Sequence, residues 1–184
     1  MSFQAEHIEK FQNLRVTLAP ENRDQIRLAA NGGNTILFVY PPCDELEYIR
    51  KAQEMFSNTA FINMRLCLVE FIDQIGWKDF KTFYQDYPGQ PEAVFTDSEG
   101  DPKLEGLIIK KITASLNQGK IPFLIHTGAL YGTGIENIHI MQHPRVMRFD
   151  TPLVIFYPAI EKSETELDFL GVKPASKYRC KMVK

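Results

Sequence analysis

The chain has 184 residues, 44% of them apolar and 24% charged, with 21 Lys and Arg against 23 Asp and Glu for a formal charge of -2. That length suits one domain with a sizeable core, so residues 1–184 read as a single unit. The near-neutral balance gives no global attraction to nucleic acid or anionic membrane, and direct nucleic-acid binding is not expected.

Glu6, His7, Glu9 and Lys10 interrupt the N-terminal region where a secretory signal would be apolar, and no apolar run approaches the roughly 20 residues of a membrane span. Cys43, Cys67 and Cys180 are isolated and have no Cys-x-x-Cys spacing, so they read as small buried hydrophobes in a reducing compartment. The expectation is a soluble cytoplasmic protein without a membrane segment.

In chain order, Phe3, Ile8, Phe11, Leu14 and Leu18 predict an amphipathic helix over residues 1–18, ending before Pro20. Asn31-Gly32-Gly33-Asn34 is a turn that feeds a strand at Thr35 to Tyr40, and this strand is apolar throughout. Missing alternation points to a strand covered on both faces, as in parallel sheets. Pro41-Pro42 ends it, and Asp44 is placed to cap a helix from about Glu45 to Phe56.

Ala60 to Leu66 predicts a second strand, and Val69 to Ile75 and Trp77 to Tyr84 predict short helices parted near Gly76. Residues 87–102, rich in Pro, Gly and acids, predict a surface loop. Leu104, Leu107, Ile108, Ile112 and Leu116 form a helical stripe, and Ile121 to His126 is the next strand. The last strands are Pro152 to Tyr157, whose Tyr-Pro ending copies that of the first strand, and Tyr178 to Val183.

Thr127-Gly128-Ala129-Leu130-Tyr131-Gly132-Thr133-Gly134 matches the T-G-x-x-x-G-x-G pattern of short-chain dehydrogenases. Glycines let backbone approach a pyrophosphate, which makes Gly128, Gly132 and Gly134 the candidate cofactor-binding residues. Context argues against it, because the motif lies late in the chain and neither Tyr157 nor Tyr178 has a Lys four positions on. A glycine-permitted turn is expected instead, with no cofactor.

His139 and His143 share a helical face and His126 ends a strand, so these three are the candidate metal ligands. No H-E-x-x-H occurs and Pro144 follows His143 directly, so a helix-end histidine interacting with terminal carbonyls is expected and no metal. There is no G-x-S-x-G elbow, and no nucleophile, base or carboxylate pair stands out, so no catalytic residue is assigned.

Several ordered blocks carry a resemblance. Gly128-Ala129-Leu130-Tyr131, Ile135-Glu136-Asn137-Ile138-His139, Thr151 to Pro158, Leu167-Asp168-Phe169-Leu170-Gly171 and Tyr178-Arg179-Cys180-Lys181-Met182-Val183 resemble the C-terminal half of the BrxB family of BREX bacteriophage-exclusion systems. Val39-Tyr40-Pro41-Pro42-x-Asp44-Glu45 is similar to that family's first strand and helix start. Relatives commonly carry an arginine after Gly-x-Leu-Tyr, where this chain has Gly132-Thr133-Gly134-Ile135. The resemblance implies a non-enzymatic adaptor in antiviral defence that binds the phosphatase-like PglZ component and other BREX subunits.

The fold expected is α/β, a three-layer Rossmann-like or P-loop-like sandwich without a Walker A motif, on a mainly parallel sheet of four to five strands. Ligands of such sheets gather at the carboxyl ends of strands. Tyr40, Pro41, Asp44, Glu45, His126, Tyr157 and Pro158 are therefore the candidate partner or ligand residues. The rival to the adaptor is a small nucleotide-binding or phosphate-transfer domain using Gly128 to Gly134.

Overall fold

The computed structural model describes residues 5–95, 103–163, 166–175 and 179–184. Helices α1 (Ala5–Leu18) and α2 (Arg23–Ala29) precede strand β1 (Thr35–Tyr40), helix α3 (Glu45–Met55) and strand β2 (Thr59–Asn63). Helices α4 (Met64–Ile75), α5 (Trp77–Asp86) and α6 (Lys103–Asn117) lead to strand β3 (Ile121–Ile125). The short helices α7 (Asn137–Met141) and α8 (Pro144–Met147) then lead to strand β4 (Leu153–Glu161), followed by β5 (Leu167–Phe169), β6 (Lys173–Pro174) and β7 (Lys181–Val183).

These elements form a mixed α/β fold around an open seven-stranded sheet of order β2-β3-β4-β1-β7. The four pairings along that path are parallel. Two short antiparallel pairings extend it, β5 on the outer half of β4 and β6 on β5.

The unbroken apolar runs have a direct cause, since all six residues of β1 are buried. Ile36, Phe38 and Tyr40 join Phe123, Val154 and Phe156 in one cluster with Phe11, Leu14, Ile26 and Tyr48 of α1, α2 and α3. Leu37 and Val39 join Leu124, Ile155 and Tyr157 in the other, with residues of α4 and α6 to α8. Neither face is left to water, so neither face needs polar residues.

The two Tyr-Pro runs lie side by side, but in a register shifted by one from their sequence match. Thr35 pairs with Leu153, Phe38 with Phe156 and Tyr40 with Pro158. A shift of one residue sends matched side chains to opposite faces. Tyr40 accordingly enters one cluster and Tyr157 the other.

Several boundaries differ from expectation. The second Tyr-Pro does not stop its strand, because β4 runs on to Glu161. Pro158 faces the last residue of β1, and its carbonyl accepts the Leu170 N–H at 2.8 Å. The N–H that proline lacks thus falls where one ladder gives way to the next. β2 ends at Asn63, whose Oδ1 accepts the N–H groups of Arg65 and Leu66, so residues 64–66 open a helix instead of extending the strand. β3 stops at Ile125 because His126 adopts the left-handed conformation, φ 57°.

Asp44 makes no side-chain cap; a 3-10 turn at Pro42–Asp44 leads into α3 instead. Part of the expected surface loop is core, since a 3-10 turn at Pro91–Phe95 buries Val94 and Phe95. The loop's remaining residues 96–102, the helix start at 1–4 and Tyr178 lie outside the described residues.

Candidate functional site

Three of the expected residues converge at the carboxyl edge of the sheet. Tyr40 ends β1, Glu45 opens α3 directly after it, and His126 follows β3. Glu45 Oε1 accepts the Tyr40 hydroxyl at 3.1 Å, while Oε2 lies 2.9 Å from His126 Nδ1 and 2.8 Å from the Arg65 guanidinium. One carboxylate thus binds three side chains from the ends of three chain segments.

The electrostatics follow from depth. Burial, reinforced by the Glu45 charge and its hydrogen bond, holds the Tyr40 hydroxyl protonated far above the ordinary phenol range. Tyr40 is a fixed donor at any physiological pH. A neutral His126 that donates from Nδ1 to Glu45 presents Nε2 as an acceptor, so the carboxylate fixes both the tautomer and the ring orientation. Left-handed backbone is uncommon for a residue with a Cβ, and it is what turns His126 back towards α3.

The other candidates at this edge separate. Pro41 borders a hollow of about 220 Å³ with Lys10 and Glu161, beside the Tyr40 end of β1. Asp44 is half-buried and its backbone N–H donates to the Pro41 carbonyl. Tyr157 and Pro158 are buried, and Tyr157 packs against Phe169 with ring centroids 4.8 Å apart on the other face of the sheet.

The glycine loop is a turn that borders a cavity of about 450 Å³. Thr127–Leu130 forms a 3-10 turn pinned by Thr127 Oγ1, which donates to the Phe156 carbonyl at 2.6 Å. Gly128 packs on Leu170, where a Cβ would stand 3.0 Å from a methyl group. Gly134, at φ 76°, lies so close to Glu92 that a Cβ would come within 2.8 Å of it. The helix that follows, α7, has five residues, so the long helix N-terminus of a dinucleotide fingerprint is missing here. Among the described residues, the cavity wall also carries two carboxylates, Glu92 and Glu136, against one cation, Lys173.

The histidines do not assemble. His139 Nδ1 accepts the Glu136 N–H and His143 Nδ1 accepts the Arg145 N–H, each at 3.2 Å. Both therefore bond to amide donors at helix starts, not to terminal carbonyls as expected. His126 is committed to Glu45, and among the described residues no three His, Cys, Asp or Glu side chains are grouped to hold a metal.

A surface that sequence reasoning missed lies on α5. None of its ten residues is buried, yet Trp77 is 57% and Tyr84 53% exposed, and Tyr87 just beyond is 52% exposed. Phe80 stacks with Tyr84 at 6.2 Å and Phe83 with Tyr87 at 4.7 Å, so the rings form continuous pairs. Leu66 and Val69 of α4 are exposed as well. The signal was present as five aromatics in eleven residues, more than one buried stripe of a short helix absorbs.

Among the described residues, no helix is long and apolar enough to cross a membrane. No protein-family model matches the chain, and neither a curated protein nor a solved structure matches it significantly.

Proposed function

We propose that this chain is a protein-binding subunit of the BrxB type, an adaptor in a cytoplasmic BREX-like antiviral complex that docks a PglZ-like partner through the aromatic face of α5. The observation that carries the proposal is the exposure of Trp77, Tyr84 and Tyr87 on one short helix and its end. Contiguous exposed aromatics mark interaction surfaces, where buried Trp and Tyr supply much of the binding energy. The ordered sequence blocks that resemble BrxB name the partner class. The same reading takes the fold as a three-layer Rossmann-like sandwich, supported by the two apolar clusters that alternate strand residues enter.

The rival reading, phosphate binding at Gly128 to Gly134, is disfavoured by charge. Lys173 is already paired with Glu136, and the remaining carboxylate, Glu92, would repel the anion that the loop would have to hold.

Co-expression with a PglZ-like protein tests the adaptor reading. The wild-type chain should co-purify with it, and Trp77→Ser with Tyr84→Ser and Tyr87→Ser should abolish co-purification without lowering the melting temperature. Retention of the partner by that triple variant would remove α5 as the docking face, and no complex with the wild type would remove the adaptor reading itself.

A further inference from the structure

The 450 Å³ cavity beside the glycine loop has the size of a small-molecule site and a consistent chemistry. Its apolar part includes the packed rings of Tyr157 and Phe169, and Tyr131, 56% exposed, adds a third ring. Its polar part is acidic. Glu136 and Lys173 form an ion pair, so they cancel, and Glu92 makes no ion pair among the described residues. Gly134 lets the stem of Glu92 lie against the loop, because a Cβ there would come within 2.8 Å of the Glu92 Cβ. Gly132 opens onto clear space within 4 Å.

Aromatic faces and an unbalanced carboxylate attract the same kind of group. A cation is drawn to the negative face of a ring and to a carboxylate alike, whereas a phosphate is repelled by both. Lys173 already supplies one ammonium to this wall, held by Glu136. We infer that the cavity binds a small organic cation, an ammonium attached to an apolar or aromatic body, with the body against the exposed ring of Tyr131 and the charge at Glu92. This site is independent of the aromatic face of α5, so its failure leaves the adaptor reading untouched.

Calorimetry on the whole chain tests it, with 2-phenylethylammonium as probe and the neutral 2-phenylethanol and ATP as controls. The cation should bind saturably at one site and the alcohol about tenfold more weakly, the scale of a cation–ring contact together with an ion pair. Glu92→Gln should weaken the cation by roughly fivefold, as for a partly exposed pair. Lys173→Met should tighten it by a similar factor, because Glu136 is then released to the ligand. Both side chains lie on the surface, and unchanged melting temperatures establish that the variants are folded. Absence of cation binding, equal binding of the alcohol, no effect of Glu92→Gln, weaker binding in Lys173→Met, or saturable ATP binding lost in Lys173→Met would each overturn the inference.

Discussion

Glu45 and His126 meet through Oε2 and Nδ1 at 2.9 Å, although 81 positions separate them. The same carboxylate accepts the hydroxyl of Tyr40, which is fully buried. Glu45→Ala leaves that hydroxyl without its acceptor and should cost about 2–3 kcal/mol in urea denaturation. Tyr40→Phe removes the stranded group, so the double variant should lose less than the sum of the two single ones.

Burial also sets the alkaline limit. It pushes the Cys67 thiol up to about 11 and the Cys180 thiol up to about 12, and it holds the hydroxyls of Tyr40 and Tyr48 well above the phenol range. The unfolded chain releases these protons first, thiols from their ordinary 9.0 and phenols from 10.0, while the folded chain keeps them. The contribution is thus fully present below pH 9 and is lost as pH rises towards the folded values. Unfolding free energy should fall steadily between about pH 9 and pH 11, a window in which model thiols and phenols ionise.

The same burial sorts thiol reactivity. Cys43 is exposed, Cys67 is buried and Cys180 packs against the core. Under native conditions at neutral pH a thiol reagent should modify Cys43 first, and Cys67 and Cys180 only at the rate of opening. Mass spectrometry of the partly labelled chain checks the order.

Two glycines should respond in opposite directions to alanine. A Cβ on Gly33 would stand 2.1 Å from the Arg179 carbonyl oxygen, so the approach of the chain before β7 to the turn before β1 depends on its absence. Gly33→Ala should lower the melting temperature by several degrees or more. Gly106 sits in α6, exposed and with nothing within 4 Å of the added carbon. Gly106→Ala should raise stability by roughly 1 kcal/mol, the helix-propensity difference.

Trp77 is the chain's sole tryptophan, and its Nε1–H donates to Asp73 at 2.6 Å while its ring faces water. Its emission should be red-shifted and open to acrylamide quenching in the free protein. Docking of a PglZ-like partner should shift it to the blue and shield it, and an unchanged spectrum on complex formation would place the contact elsewhere.

The sheet was legible because apolar periodicity reports burial. Strand β1 matches expectation at both ends, since Asn31 to Asn34 and Pro41-Pro42 are strong local punctuation. Where an end is set by tertiary structure, the signal fails. Asn63 converts strand to helix through a side-chain cap, and Pro158 is tolerated because β5 takes over the pairing there. Helix α2 was not anticipated, because a seven-residue helix that buries only Ile26 carries almost no periodicity.

The candidate site divides in the same way. Tyr40, Glu45 and His126 could be placed at the strand ends from sequence, but their shared hydrogen bonds depend on the strand order β3-β4-β1, which no local pattern encodes. The cavity was further out of reach. It needs Glu92, Tyr131, Tyr157 and Lys173 from four separate segments, and of these four only Tyr157 is a candidate on sequence grounds.

The placement of β1 between β4 and β7 has a consequence for biogenesis. Strand β1 leaves the ribosome ahead of the other strands described, and both of its hydrogen-bonding neighbours, β4 and β7, are translated long after it. Throughout elongation its two edges stay open, with Phe38 and Tyr40 unable to find Phe156. Sheets closed by such distant pairings form slowly and expose sticky edges meanwhile. Nascent chains of this protein should therefore depend on holding chaperones until β4 and β7 emerge.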